Sequence, residues 1–135
     1  MKTFLLEIVS PEKLLFSQEV ESVVAPAAEG MIGILAGHAP FLSSLKPGEI
    51  KAKSEGWEHF FATTGGFMEV LPDKTTLLVE SSEEAKKIDK ERAKKARDRA
   101  RKRLEDSSDE VDQFRAKESL ERAEARLKVA EKHQS

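Results

Sequence analysis

Four residues near position 90 combine side chains that could bind an anionic ligand. In an α-helix, Asp89 would lie three residues before Arg92, Ile88 would lie one turn before it, and Ala93 would follow directly. A guanidinium group matches the oxygens of a phosphate, and a carboxylate can accept a hydrogen bond from an amino or hydroxyl group. The same pattern is typical of a weak, solvated ion pair beside a core isoleucine. From these residues alone, both interpretations stay open.

Two further arginines could belong to such an anion site. Arg99 follows Arg92 by seven residues, which is two turns along the same helix face. Arg126 would come level with the start of the first helix if two helices pack side by side in opposite directions. A phosphate group held by arginines of both helices would link the helices together.

Glycine and proline divide the chain into two regions. All 7 glycines and all 5 prolines stand in the first 85 residues, and the last 50 residues have neither. Because glycine and proline mark turns and are unfavourable inside helices, the first region should be rich in strands and the second helical. We therefore predict an α+β chain with a β-sandwich over residues 1–84 and a helical hairpin over residues 85–135.

Short apolar segments between turn signals predict the strands of the first region. Turn signals recur every eight to twelve residues with no helical period between them, which is typical of an all-β sandwich or flattened barrel. Pro26 is expected to end one of the strands, and Pro47-Gly48 stands in the order that a tight turn prefers. The predicted strands are residues 4–9, 14–16, 20–24, 31–35, 50–53, 59–63, 66–70 and 75–79.

Two capping boxes predict where the helices begin. Ser81 with Glu84, and Ser107 with Glu110, have the spacing of an N-cap and its reciprocal acceptor. The expected helices are residues 82–104 and 108–132, and the short link makes them antiparallel neighbours. Their apolar stripes consist mostly of alanine, which buries little area against the ordering cost. The hairpin should therefore be only marginally stable.

Charge also divides the chain into segments. Residues 1–85 carry a net charge of −7, residues 86–103 carry +8 and residues 104–135 carry −3. The basic run over residues 94–103 could be a solvated face, a surface that docks onto an acidic protein, or a nucleic-acid site. The first helix has no aromatic residue to stack on bases, which disfavours nucleic acid.

Several classes of protein are disfavoured by composition. The chain has no cysteine, which fits a reducing compartment, and no apolar run approaches the ~18 residues of a membrane span. Glu7 interrupts the apolar N-terminal stretch, so a signal peptide is not expected. The 3 histidines show no metal-ligand spacing, and no nucleophile elbow or phosphate-binding glycine loop occurs. We expect a soluble, cytoplasmic protein that is not an enzyme and holds no metal.

Five stretches in the same order resemble one family over the whole chain: the epsilon subunit of bacterial F-type ATP synthase. The Ile88–Ala93 segment resembles the I/L-D-x-x-R-A pattern of those members that bind ATP. Ala36 stands where many relatives have proline. The other stretches are PAAEGMIGILAGHAP (residues 26–40), LKPG (45–48), TGGFMEV (64–70) and TLLV (76–79).

The resemblance implies about ten strands, two helices and a place in the rotor stalk on the cytoplasmic face of the bacterial membrane. The sandwich would join the gamma subunit to the c ring, with no insertion into the membrane. The helices would reach the alpha and beta subunits and inhibit ATP hydrolysis. Neither nucleic acid nor a metal is implied as a ligand. The contact residues would be Glu29, Gly30 and Met31 toward the c ring and His38 toward gamma, with Lys94, Lys95, Arg99, Arg101 and Arg103 as the inhibitory basic residues.

The resemblance further implies ATP as a regulatory ligand that favours the folded hairpin. Whether Mg²⁺ accompanies the ATP does not follow from it. A nucleic-acid-binding protein or a free-standing β-sandwich adaptor is the alternative. The implied ATP-binding residues are Glu83, Ile88, Asp89, Arg92, Ala93, Arg99 and Arg126.

Overall fold

The described part of the chain forms ten strands followed by two α-helices. The computed structural model describes residues 2–134; residues 1 and 135, the outer ends of the two predicted regions, lie outside the described residues. The elements are β1 (Phe4–Val9), β2 (Leu14–Val20), β3 (Ser22–Ala27), β4 (Gly30–Leu35), β5 (Phe41–Leu45), β6 (Gly48–Ser54), β7 (Trp57–Thr63), β8 (Gly66–Val70), β9 (Lys74–Val79), β10 (Ser82–Glu84), a 3₁₀ turn (Ala85–Lys87), α1 (Lys90–Asp106) and α2 (Glu110–His133).

The strands form one folded sheet. Their order is β10-β7-β6-β3-β5-β8-β9-β1-β2, and β4 pairs with β3 outside this path. The β1–β9 pair is parallel, and it joins the first strand of the chain to one of the last. Phe16 of β2 packs edge-on against Phe61 of β7, with 5.2 Å between ring centroids, so strands near opposite ends of the sheet order meet face to face. This arrangement confirms the predicted β-sandwich.

Alternation of apolar side chains builds the core of the sandwich. Phe4, Leu6 and Ile8 of β1 are at most 2% exposed, while the residues between them are half-buried. Strands β6, β8 and β9 supply further core residues in the same way. Gly66 has a φ of +150°, and a Cβ there would lie 2.0 Å from the carbonyl oxygen of Leu78. The close pairing of β8 with β9 therefore requires glycine at this position.

An ion pair connects the parallel strands β1 and β9. Lys74 Nζ lies 2.6 Å from Glu7 Oε1. The hydrogen bond to Glu7, and then the charge of its carboxylate, raise the pKa of Lys74 above its ordinary value. The Lys74 ammonium group therefore stays charged through the neutral pH range.

Three strand predictions need correction. Residues 41–45 were not among the predicted strands, yet they form β5, which pairs with β8 along its whole length. The second and third strands are longer than expected, because β2 and β3 are separated by Glu21 alone. Pro26 does not end its strand. Strand β3 pairs with β6 only as far as Val24, and the Pro26 carbonyl group still accepts a 2.8 Å hydrogen bond from Lys46 N.

The first helix begins eight residues later than its capping box predicts. Ser82–Glu84 pairs with β7 as strand β10, because the edge of β7 is open to pairing there. A 3₁₀ turn follows, and Asp89 is the N-cap of α1. Ser81 instead forms a hydrogen bond between its hydroxyl group and that of Thr64, 3.1 Å away. The capping box was therefore a wrong signal at Ser81.

The second helix differs from its prediction by only a few residues. Its N-cap is Asp109, whose carboxylate accepts a 2.8 Å bond from Val111 N, and Ser107 in turn accepts a bond from Asp109 N. The helix ends at His133. Only residues 107–109 connect α1 to α2, and this short link gives the antiparallel hairpin that was predicted.

Candidate anion-binding site

The two helices meet along small side chains. Ala93 and Ala100 of α1, and Ala116 and Ala123 of α2, are at most 3% exposed. Alanine lets the helix backbones approach closely, so long charged side chains beside the seam are left to line the surface. The seam is what brings the arginines of both helices together.

A small apolar cluster docks the hairpin onto the sandwich. Ile88 is 5% exposed and packs with Ala62 of β7 and with Val129 and Ala130 of α2. The ring of His133 stacks on Phe60 of β7, with centroids 3.6 Å apart. These contacts place one end of α2 beside the sandwich and orient its arginines toward the segment before β10.

A cleft of about 640 Å³ lies where the hairpin meets the sandwich. Its polar lining is dominated by four guanidinium groups, two from each helix, and such groups bind phosphate oxygens through paired hydrogen bonds. The cleft is partly open to solvent. It is lined by Thr64, Glu80 and Ser81 of the sandwich, Ala96, Arg99, Ala100 and Arg103 of α1, and Ser119, Arg122 and Arg126 of α2.

Two of the four arginines are paired with carboxylates. Arg126 Nε lies 2.9 Å from Glu83 Oε1, and its terminal nitrogen donates to Ser81 Oγ at 3.5 Å. Arg122 lies 3.0 Å from Glu80 Oε2. No ion pair of Arg99 or Arg103 is found among residues 2–134. The cleft therefore carries excess positive charge on its α1 side.

The motif residues at 88–93 lie beside the cleft and do not line it. Asp89 Oδ1 accepts a 3.1 Å hydrogen bond from Arg92 N, which makes it the cap of α1. Ile88 and Ala93 are buried, and Arg92 is exposed one turn before the cleft residue Ala96. The structure thus gives Asp89 a capping role, which the ion-pair and anion-site interpretations both missed.

Of the predicted ATP-binding residues, Arg99 and Arg126 line one cleft, and Glu83 pairs with Arg126. Sequence reasoning missed Glu80, Ser81, Thr64 and Arg122, and it assigned Arg103 only to the basic helix. A signal existed for the two arginines: each stands four residues from a predicted arginine, and so lies on the same helix face. No sequence signal pointed to the sandwich residues.

The predicted contact residues lie on exposed parts of the sandwich. Glu29 is in the exposed turn between β3 and β4, Gly30 is the exposed first residue of β4, and Met31 is 58% exposed. These residues line a groove of about 410 Å³ together with Phe41 and Leu42 of β5, among others. The ring of His38 lies 5.8 Å from that of Phe41, at the same end of β5.

The basic residues of α1 are mostly solvated. Lys95, Arg99, Arg101 and Arg103 are exposed, while Lys94 is half-buried and lies 3.6 Å from Glu91. Within residues 2–134, no helix is long and apolar enough to cross a bilayer. The same part of the chain shows no cluster of histidines and carboxylates that could hold a metal ion.

Comparison with known proteins assigns the family. The model of the ATP synthase delta/epsilon chain β-sandwich domain matches residues 3–85, and the model of the delta/epsilon chain long α-helix domain matches residues 86–131. The chain belongs to the delta/epsilon chain family of ATP synthase. The predicted family is thereby confirmed.

Curated relatives of this family are similar to the chain over most of its length. The ATP synthase epsilon chain of Syntrophobacter fumaroxidans is 50% identical over 94% of this chain and 95% of its own. The epsilon chain of Desulforamulus reducens is 45% identical over 96% of this chain and 98% of its own. That of Bacillus subtilis is 44% identical over 82% of this chain and 84% of its own. These relatives confirm that the chain is a structural subunit and not a catalytic one.

Two solved structures share the architecture of this chain. A chain of the Euglena gracilis mitochondrial ATP synthase, solved as OSCP/F1/c-ring, is 26% identical with a TM-score of 0.81, over 95% of this chain and 81% of that one. A chain of the Tetrahymena thermophila mitochondrial ATP synthase central stalk and c-ring is 16% identical with a TM-score of 0.67, over 96% of this chain and 97% of that one. The second likeness concerns the fold alone.

Proposed function

We propose that this epsilon-family chain is a central-stalk subunit of a bacterial F-type ATP synthase, peripheral on the cytoplasmic face of the membrane. Its sandwich joins the gamma subunit to the c ring, and its helices inhibit ATP hydrolysis by the alpha and beta subunits. ATP, as a regulatory ligand, favours the docked hairpin. Family membership supports the first part, and the architecture of the cleft supports the last.

An exposed apolar patch on the sandwich supports a protein contact there. Leu42, Phe67 and Leu78 are each at least 50% exposed on the neighbouring strands β5, β8 and β9. Phe67 is directly opposite Leu78, and Leu42 pairs with Glu69 two residues on, so all three face the same side. Contiguous apolar surface of this kind is typical of an interface. The patch adjoins the groove at Met31, so gamma and c-ring contacts would be continuous.

The charge of α1 supports the inhibitory contact. Most of the +8 of residues 86–103 lies on exposed side chains. A helix of this charge is steered toward acidic surfaces of a partner, here the catalytic subunits. Docking there requires the helices to leave the sandwich. Because few apolar contacts hold them there, that separation should cost little free energy.

The cleft is the observation that carries the regulatory role of ATP. Its walls come from three places: the sandwich, α1 and α2. Because these walls meet only when the hairpin is docked, a ligand in the cleft binds the docked state alone. Such a ligand shifts the equilibrium by RT ln(1 + [L]/Kd), roughly 2.7 kcal/mol at a hundredfold excess over Kd. A marginally stable hairpin would respond strongly to a shift of that size.

Calorimetric titration of the full chain with ATP, with and without Mg²⁺, tests the regulatory site. We expect saturable binding that Arg99→Ala and Arg126→Ala each weaken at least tenfold. Arg115→Ala is the matched control, since Arg115 is exposed on α2 and does not line the cleft. If the wild-type chain releases no heat up to millimolar ATP, or if Arg115→Ala weakens binding equally, the cleft is not an ATP site.

A further inference from the structure

The arginines of the cleft fall into two classes. Those of α2 are engaged by carboxylates of the sandwich: Arg122 by Glu80 at 3.0 Å and Arg126 by Glu83 at 2.9 Å. Those of α1, Arg99 and Arg103, have no ion pair within residues 2–134. Each helix thus offers two guanidinium groups, but only the pair on α1 is available without breaking an existing contact.

A ligand that spans the cleft must therefore compete with the protein's own carboxylates. A single phosphate group could bind on the α1 side and leave the α2 pairs intact. A polyphosphate chain that reaches both helices would have to displace a carboxylate from Arg122 or Arg126, because a guanidinium fork that already binds a carboxylate has fewer donors left for phosphate. The strength of these internal pairs then sets the affinity for the longer anion.

Glu80 is better placed than Glu83 to be the displaceable group. Its side chain is 65% exposed, and the residue stands between β9 and β10, in neither strand. It also lines the cleft itself, so its charge would repel a bound phosphate directly. Glu83 belongs to strand β10, which pairs with β7, and it does not line the cleft. The neighbouring Glu118 lies farther from Arg122, at 4.0 Å.

We propose that Glu80 is an internal competitor that occupies Arg122 in the ligand-free chain and is displaced by the phosphate chain of the nucleotide. This inference rests on the proposed ATP site. Glu80 then has two opposing effects: it stabilises the docking of α2 through Arg122, and it lowers the affinity of the cleft for ATP. A residue with a purely structural role would have only the first effect.

The test compares Glu80→Gln with the wild-type chain by calorimetry with ATP and, separately, with inorganic phosphate. Exposed ion pairs of this kind are weak, so the phosphate chain can displace Glu80, and removing its charge also removes direct repulsion of the ligand. We expect Glu80→Gln to bind ATP roughly three- to tenfold more tightly, with a smaller gain for inorganic phosphate. The gain for ATP should shrink as salt is raised, because the groups are partly exposed.

Two controls complete the experiment. Glu55→Gln makes the same charge change in the exposed turn between β6 and β7, away from the cleft, and should leave ATP affinity unchanged. Without ligand, Glu80→Gln should unfold or release its hairpin at a slightly lower temperature than wild type. Tighter binding together with looser docking identifies a competitor.

The outcomes separate this inference from the proposed function. If wild type binds ATP and Glu80→Gln binds it no more tightly, or no more tightly than Glu55→Gln, the competitor role is wrong and the ATP site stands. If neither wild type nor Glu80→Gln binds ATP, both are wrong. If only Glu80→Gln binds measurably, the competitor role is supported in its strongest form.

Discussion

The sandwich and the hairpin bury very different side chains. The interior of the sandwich is filled by large residues that are almost fully buried, such as Leu6, Ile50 and Met68. The buried positions of the hairpin are mostly alanines, with Leu127 as the largest on the seam. Because stabilisation scales with apolar area removed from water, the sandwich should be a rigid base and the hairpin an element with two accessible states. This difference supports the proposed division, in which the sandwich serves assembly and the hairpin serves regulation.

Removal of the hairpin is the largest test of this division. A chain that stops after residue 86 loses both helices but keeps all ten described strands, so it should fold and still co-purify with gamma and the c ring. ATP hydrolysis by the complex should rise several-fold, because the helices proposed to inhibit it are gone. If the reconstituted complex hydrolyses ATP at the same rate as the intact complex, the hairpin does not inhibit hydrolysis.

Equivalent leucine truncations in the two regions should differ in their effect. Leu6→Ala leaves a cavity in the sandwich and should lower the free energy of unfolding of the whole chain by about 2–5 kcal/mol. Leu127→Ala, at 4% exposure, should leave the main unfolding transition of the sandwich unchanged and release only the helices. Thermal melts followed by near-ultraviolet and far-ultraviolet circular dichroism distinguish the two. A common loss of sandwich stability would show that the regions are one cooperative unit.

A charge reversal in the contact groove of the sandwich should weaken the coupling of ATP hydrolysis to proton pumping without affecting folding. Glu29→Lys reverses an exposed charge in the turn between β3 and β4, so the isolated chain should melt as wild type does. ATP-driven proton pumping in the reconstituted enzyme should fall measurably, because the groove would face its partner with the wrong charge. Glu55→Lys, in another exposed turn, is the control. Unchanged pumping with the c ring still bound would contradict this contact.

Two substitutions of Asp89 separate its capping role from a role in ligand binding. Asp89→Ala removes the acceptor for Arg92 N and should cost about 1 kcal/mol of helix stability, with ATP binding lost. Asp89→Ser keeps an N-cap. If Asp89 also contacts the nucleotide, the serine variant should restore helicity but not ATP binding, as read by circular dichroism and calorimetry. Arg92→Ala should likewise abolish binding without unfolding the sandwich, and full binding by either variant would exclude that residue from the site.

The contacts of the C-terminus should have the smallest effect. Gln134 Nε2 donates to the carbonyl oxygens of Ala85 and Ile88, at 2.9 and 2.8 Å, and His133 Nε2 lies 2.5 Å from Glu49 Oε1. Removing residues 133–135 should therefore make the helices several-fold more sensitive to trypsin, while the sandwich resists as before. Equal sensitivity of the shortened and full chains would show that these contacts do not hold the hairpin down.

The sequence predicts the sandwich and the hairpin better than it predicts their junction. Alternating apolar residues and the loss of glycine and proline after residue 85 are local signals, and local signals suffice for strands and helices. At Ser81 the local signal, a capping box, was wrong, because residues 82–84 pair with the open edge of β7 as a strand. A short window of sequence does not show that a segment will pair with a strand from another part of the chain.

The cleft was only partly predictable for a similar reason. Helical spacing related Arg99 to Arg92, and it could have extended to Arg103 and Arg122. Glu80 and Ser81 reach the cleft through the register of β10 and the docking angle of α2, which no spacing rule contains. The capping role of Asp89 followed from the true helix start, and that start was itself set by β10.

Hydrogen exchange of the full chain with and without ATP tests whether ATP stabilises the docked hairpin on the sandwich. We expect saturating ATP to slow the exchange of backbone amides throughout α1 and α2, while amides of β1, β8 and β9 exchange at unchanged rates. Arg126→Ala should abolish the effect of ATP. If ATP leaves the helices exchanging as fast as before, or slows the sandwich and the helices alike, the hairpin is not a ligand-controlled element on a rigid base.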